Sequence, residues 1–499
     1  MNLAAALEER ATARDFLDRP AVLTEGRSLT HREVHDGARR TASLLTSRGA
    51  GRGDTVLLAL HDGPALCWAF LGAVGLGAIA VPVNPRLPAA DHRALAGDCG
   101  PAVTVCADEL ADRFGGSPVV TAGSLGPALA GFEPAPPVPA AASDPAYAQY
   151  TSGTTGAPRA AVHGHGDAFV YAAAFADPAL RLGPGDVVLS VSKMFFAYGL
   201  GNSLFFPLLS GASAVVHPGQ PTPQDIADLV ELHRVTVLFA VPTFYANLIR
   251  AEVPPARLGS LRVAVTAGER LPSGLASRTA ELLGCPLIDS LGSTEVGQAF
   301  VAGTPGELRA GTVGRALPPY EVAVRSNDGA GVPTGTIGML WVRGPTLLRE
   351  YLGGASAATF DGDWLRTGDL ASVDEDGYLR HHGRADDMEM VGGITVAAQE
   401  IEDLLSAHPA VSEVAVASVV DDVGASRLQA YVVPAPGFDA DEQLGEDLTG
   451  LARARLAAYK VPRSVTFVAA LPRTPTGKLR RFMLRSGEAW RTPVPAGEP

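Results

Sequence analysis

From Thr151 to Arg159 the chain reads TSGTTGAPR, four hydroxyl side chains and two glycines followed by a guanidinium. Glycines let backbone N–H groups approach a ligand closely. Hydroxyls add donors suited to phosphate oxygens, and Arg159 adds positive charge on the same run. Such a set suggests a phosphate cradle; a surface turn rich in small residues is the alternative. It is not a Walker A loop, because only two residues separate Gly153 from Gly156 and no Gly-Lys follows. A second chemical signal is scarcity. Of 40 basic residues only Lys193, Lys460 and Lys478 are lysines. Arginine-rich codon usage accounts for that by itself, yet a lysine kept against it is a candidate for a role that needs an ammonium.

These residues need a scaffold. The segment AYAQYT, leading into Ser152, reads as a strand, and FEPAPPVPAAASDP (132–145) before it reads as a surface linker. Upstream, LTHREVHDGARRTASLLTSRG opens on a capping box, Thr30 with Glu33, and closes at Gly49. DTVLLAL and AIAVPVN read as buried strands around the helix ALCWAFLGAVGLG. The alternation resumes at GASAVVHP, QDIADLVELHRV, TVLFAVP and RVAVTAG, which predicts parallel sheets covered by helices. From about residue 305, short strands and turns such as SNDGAG predict a β-rich subdomain. After GRADDMEMVGG come helix, strand, strand, helix and strand, a compact α+β unit. The predicted fold class is therefore α/β: a large N-terminal domain of layered sheets over 1–385, then a small α+β domain over 386–499.

At 499 residues the chain exceeds one core, so two or more domains are expected. Its net charge of −13 argues against a general nucleic-acid partner. Cys67, Cys99, Cys106 and Cys285 show no zinc spacing and read as reduced, buried thiols. The N-terminus lacks the apolar core of a signal peptide, and no apolar run approaches the ~20 residues that span a bilayer. A cytoplasmic protein with no membrane partner is the expectation.

YTSGTTGAPRAAVHGH resembles the phosphate-binding loop of the AMP-forming acyl-CoA synthetase and adenylating enzyme superfamily, with Arg159 in place of the usual lysine and Ala160 in place of glycine. By that resemblance Thr151, Ser152, Gly153, Thr154, Thr155, Gly156 and Arg159 handle the β- and γ-phosphates of ATP. DSLGSTEVGQAF (289–300) is similar to the family's YGxTE motif. It implies that Asp289 and Gly292 border the nucleotide, that Thr294 meets the α-phosphate and that Glu295 binds Mg²⁺, a task suited to a carboxylate. Leu291 stands where a tyrosine usually packs on adenine. Gly268 and Glu269 fall in the adenine-flanking loop. WLRTGDL and GRADD imply that Asp369 and Arg384 hold the ribose, with Asp386 as the hinge of a mobile C-terminal domain. Met390 replaces a frequent lysine. LPRTPTGKLRRFMLR implies Lys478 as the adenylation lysine, acting where charge spreads over the in-line oxygens. Gly392 and Gly393 in VGGITV would line the pantetheine channel.

SKMFFAYGLGNSLFFPL (192–208) resembles the benzoate–CoA ligase branch. Phe196, Ala197, Tyr198 and Gly199 would line an aryl-acid pocket; a buried amphipathic segment is the alternative. The segment holds no acid to pair an α-ammonium, which disfavours an amino-acid substrate, and the match argues against a long-chain fatty acid. Where the branch usually has a histidine and an isoleucine, this chain has Gln298 and Ala299. That opens volume and adds an amide, so a ring-substituted benzoate is expected. The resemblance implies ATP, Mg²⁺ and coenzyme A, with carrier-protein phosphopantetheine as the alternative acceptor. A non-catalytic nucleotide-binding module and a luciferase-like oxygenase are the readings from other classes.

Overall fold

The computed structural model describes residues 1–151, 159–326, 328–354, 359–385, 388–391, 394–420, 426–473 and 479–486. The chain divides into two compact units. One comprises Met1–Ala323, Trp341–Thr367 and Val373–Arg380; the other comprises Val324–Leu340, Gly368–Ser372 and the chain from His381 on.

Two sheets dominate the first unit. A six-stranded sheet runs Val119–Thr121, Val103–Cys106, Thr55–Ala59, Ile79–Pro82, Pro145–Thr151 and Arg159–Gly164. Its strands are parallel until the last pair, which is antiparallel. A nine-stranded sheet has five consecutive parallel pairings among Leu287–Gly292, Val263–Thr266, Val237–Ala240, Val187–Ser190, Ser213–Val215 and Pro20–Leu23. Antiparallel strands close both of its edges. Thr55–Ala59, Ile79–Pro82, Ser213–Val215, Val237–Ala240 and Val263–Thr266 are apolar runs seen in the sequence, and they are almost wholly buried, as strands of sheets covered on both faces must be. The predicted capping box forms: Thr30 accepts from the Glu33 amide, and the Glu33 carboxylate accepts from the Thr30 amide, which starts the helix His31–Ser47.

Strands between residues 321 and 384 form a further five-stranded sheet, the expected β-rich element. In the second unit Val411–Val420, Ser426–Pro434 and Ser464–Phe467 form a three-stranded sheet, packed with the helices Ala398–Ser406 and Glu442–Arg455 around Ile401, Val416, Leu428 and Leu448. All four cysteines are free and buried. Burial pushes their thiols up, to about 12 at Cys67 and Cys99 and about 11 at Cys106 and Cys285. They act as small hydrophobes. Among the described residues no helix is long and apolar enough to cross a membrane.

Candidate active site

The Ser-Thr-Gly run joins two strands of one antiparallel hairpin, in which Thr151 pairs with Arg159 and Tyr147 with His163. Ser152, Gly153, Thr154, Thr155 and Gly156 themselves lie outside the described residues, as do Asp386, Gly392, Gly393 and Lys478. The ladder fixes Thr151 and Arg159, the described residues on either side of that run. Arg159 leaves the last rung with its guanidinium 4.6 Å from the centre of the Tyr351 ring.

The second loop, Ser293–Gln298, is fixed from below by the same hairpin. His163 Nε2 lies 2.7 Å from the Thr294 carbonyl oxygen. A carbonyl only accepts, so Nε2 carries a proton, and Nδ1 lies 3.4 Å from the Tyr171 hydroxyl. Asp167 lies 3.4 Å from Nδ1, accepts from the Gly164 amide at 2.9 Å and receives Arg349 at 3.2 Å. His163 and Asp167 are buried, so these bonds act in a low dielectric. His163 is thus bonded to the loop that carries Thr294 and Glu295. His165 accepts from the Leu3 amide, and burial pushes its imidazole down to about 4, so it stays neutral. On the far side, Leu348 donates its amide to the Glu295 carbonyl at 2.6 Å, and Tyr351 Oη donates to Glu295 Oε1 at 3.2 Å.

Gly297 has φ of +90°, and a Cβ there would lie 1.9 Å from Tyr171 Oη and 3.1 Å from His163 Cε1. Gly297→Ala therefore adds a disfavoured backbone conformation to a steric clash. It is expected to cost ~1–3 kcal/mol or more, read as a lowered denaturation midpoint. An unchanged midpoint would contradict the tight packing. Gly292 lies at a register shift between the strands Leu287–Gly292 and Ala299–Ala302, where a Cβ would meet the Gln298 carbonyl at 2.7 Å.

The aromatic segment forms a tight turn. Phe196 donates its amide to the Lys193 carbonyl at 3.0 Å, and a Cβ on Gly199 would lie 2.1 Å from that same oxygen. Phe196, Ala197 and Tyr198 remain partly exposed, while Gly199 is buried. Tyr198 Oη donates to the Val265 carbonyl at 3.2 Å, and Val265 stands just before the Gly268 loop. Gln298 meets the segment: a Cβ on Gly201 would lie 2.0 Å from its Nε2. Its Oε1 accepts from the Ala299 amide at 3.1 Å, and its buried Nε2 has no hydrogen-bond partner. Ala299 is buried beside it.

The turn is rooted on two buried charged side chains that sequence reasoning did not bring together. Lys193 Nζ donates to the His217 carbonyl at 2.7 Å, and Asp62 accepts from the Met194 amide at 3.1 Å. Burial lowers the Lys193 ammonium and raises Asp62 to about 6, and the charge of each opposes its partner's shift. One of the three scarce lysines is thereby placed, and a second, Lys460, pairs with Glu400.

Gly268 takes φ of +84°. The Glu269 carboxylate caps the helix Pro242–Arg250, accepting from the Thr243 amide at 3.1 Å and its hydroxyl at 2.7 Å. Asp289 is half-buried within the strand Leu287–Gly292, where its carbonyl accepts from the Gly303 amide. In the second unit Asp369 is buried, with His381 Nε2 at 3.2 Å and Arg384 Nη1 at 3.9 Å from its Oδ1. A Cβ on Gly368 would lie 2.9 Å from Arg384 Nη2. His381 was not evident from the sequence, because nothing in its spacing points to Asp369.

Among the described residues no group of three or more His, Cys, Asp or Glu side chains could hold a metal ion. A single carboxylate, Glu295, fits the alternative in which phosphates supply the other ligands.

Residues 8–352 match the family model described as AMP-binding enzyme, and residues 400–478 match that of the AMP-binding enzyme C-terminal domain. The p-hydroxybenzoic acid–AMP ligase FadD22 of Mycobacterium tuberculosis is 42% identical over 97% of this chain and 68% of its own length. The benzoate–CoA ligase of Thauera aromatica is 37% identical over 92% of this chain and 91% of its own. Among solved structures, the anthranilate CoA ligase AuaEII in complex with anthranoyl-AMP superposes with a TM-score of 0.92 at 32% identity, covering 98% of this chain and 97% of that one.

Proposed function

Because the chain belongs to the family of AMP-binding, adenylating enzymes, in its benzoate–CoA ligase-like branch, we propose that its substrate is a ring-substituted benzoate and its thiol acceptor coenzyme A. The protein is an AMP-forming acid–thiol ligase that activates an aryl carboxylate with ATP. A carboxylate oxygen attacks the α-phosphorus and pyrophosphate leaves. The thiol then attacks the carbonyl carbon of the acyl-adenylate and AMP leaves.

In this reading the hairpin loop from Thr151 to Gly156, with Arg159, holds the departing phosphates. Thr294 meets the α-phosphate, Asp369 and Arg384 hold the ribose, and Glu295 would hold Mg²⁺, which offsets phosphate charge when bound. Gly268 and Asp289 border the nucleotide. Glu269 acts through its cap on the helix Pro242–Arg250. Lys478, on a mobile domain 386–499 that turns about Asp386, stabilises charge in the adenylation step. Gly392 and Gly393 border the thiol arm.

The observation that carries the substrate assignment is the buried amide of Gln298, lying against Gly201 at the end of the Phe196–Gly199 turn with its Nε2 unpartnered. A buried donor without an acceptor costs ~1–3 kcal/mol, and a hydroxyl on the ring, whose oxygen accepts, removes that cost. Relatives named for hydroxybenzoate and anthranilate agree with a ring-substituted substrate. ATP–pyrophosphate exchange across a panel of aryl acids tests it. The best hydroxy- or aminobenzoate is expected to exceed benzoate by ~10-fold or more in kcat/KM, and Gln298→Leu to erase most of that margin. Benzoate surpassing every substituted analogue would overturn the assignment.

A carrier-protein phosphopantetheine arm is the second reading for the acceptor. It is favoured by one observation: the 42%-identical relative is named for its AMP ligation and not for a CoA product. Acyl transfer measured with coenzyme A against phosphopantetheinyl carrier proteins separates the two.

A further inference from the structure

Arg159 replaces a lysine in the phosphate loop, and the structure shows what the guanidinium touches. Its Cζ lies 4.6 Å from the centre of the Tyr351 ring. The hydroxyl of that same tyrosine donates to Glu295 Oε1 at 3.2 Å. Tyr351 is buried, at 4% exposure, and its backbone is fixed. Ala161 and Tyr351 form an antiparallel bridge, the Val162 amide donates to the Glu350 carbonyl at 3.0 Å, and the Arg349 amide donates to the Val162 carbonyl at 3.1 Å. Leu348 holds the Glu295 backbone and Arg349 reaches Asp167.

We propose that Tyr351 is a positioning residue for the ATP half-reaction, its ring face stationing Arg159 and its hydroxyl stationing Glu295. The inference rests on the adenylating role given above. A planar guanidinium stacks on an aromatic face and keeps its outward N–H groups for phosphate, whereas an ammonium is a strongly hydrated point charge with no plane to stack. Arginine at 159 is thus matched to tyrosine at 351. The hydroxyl holds the Glu295 carboxylate in one orientation before a cation arrives, which lowers the ordering cost of binding.

A double-mutant cycle on the full chain tests this, reading Mg·ATP affinity by calorimetry and KM for ATP and for the aryl acid by exchange. Arg159→Lys is expected to weaken Mg·ATP ~3- to 10-fold in the native background and less than ~2-fold beside Tyr351→Leu. Tyr351→Met, of similar bulk and without an aromatic face, replaces Tyr351→Leu if the latter does not fold. Tyr351→Phe keeps the ring, so it should preserve the Arg159→Lys effect while raising the Mg²⁺ concentration needed for half-maximal ATP binding. KM for the aryl acid should stay put throughout. Additive effects of Arg159→Lys and Tyr351→Leu, or an aryl-acid KM that moves as far as the ATP KM, would overturn the proposal. Native protein that binds no ATP and exchanges no pyrophosphate would instead refute the adenylating role itself.

Discussion

Lys478→Ala is expected to slow acyl-adenylate formation by ~10²–10³-fold or more, the scale for removing one preorganised donor from a transition state. Formation of the thioester from a supplied acyl-adenylate should be largely spared. The asymmetry follows from the charge. In the first step negative charge spreads over the in-line oxygens around the α-phosphorus, and an ammonium placed there is worth most in that transition state. In the second step the phosphorus–oxygen bond already exists, and the charge develops on the acyl carbonyl and the leaving AMP. Lys478 itself lies outside the described residues, but its neighbours are anchored. Arg473 and Leu479 form a bridge, Arg480 donates its amide to the Pro472 carbonyl at 2.8 Å, and Arg473 pairs with Glu413 at 2.7 Å. Pyrophosphate exchange and single-turnover transfer from synthetic adenylate, run on the same preparation, make the comparison. Equal loss of both steps would contradict the role.

Glu402→Ala is expected to cost the second unit ~3–5 kcal/mol, the scale for breaking a buried pair. Arg481 Nη1 donates to Glu402 Oε1 at 2.6 Å and Nη2 to Oε2 at 2.8 Å, and both side chains are buried. The pair is also tied into the sheet: Val416 donates its amide to Glu402 Oε1 at 2.6 Å, and its carbonyl accepts from Arg481 at 2.8 Å. Removing the carboxylate strands a guanidinium in a dry site, so the loss exceeds that of the bonds alone. Arg481 stands three residues after Lys478. Denaturation followed by hydrogen exchange on Val411–Val420 reads the effect locally. Adenylation should fall with stability. Glu402→Met combined with Arg481→Met should recover most of the stability, because an apolar pair leaves no uncompensated charge. Native-like exchange protection in Glu402→Ala would refute the anchoring role.

The two experiments separate what the sequence motif carries from what the fold carries. LPRTPTGKLRRF points to Lys478 without any structure. Nothing in the spacing between Glu402 and Arg481 marks them as partners. That pair forms because a helix and the chain after Leu479 pack on one strand.

Much of the scaffold was legible in the same way. Continuous apolar runs between helices can only be strands covered on both faces, and a capping box is written in four consecutive residues. The nucleotide motifs were legible because each run resembles, residue by residue, a motif of the family. What could not be read were contacts between residues far apart in sequence. His163 on Thr294, Tyr351 between Arg159 and Glu295, Asp62 on the Met194 amide and His381 on Asp369 are of this kind. Local chemistry and periodicity determined the elements, and the resemblance of the motifs pointed to the family and to the candidate site residues. The residues that hold them in place were decided by the tertiary structure alone, because a buried hydrogen bond depends on what the sheets bring together and leaves no periodic trace in the chain.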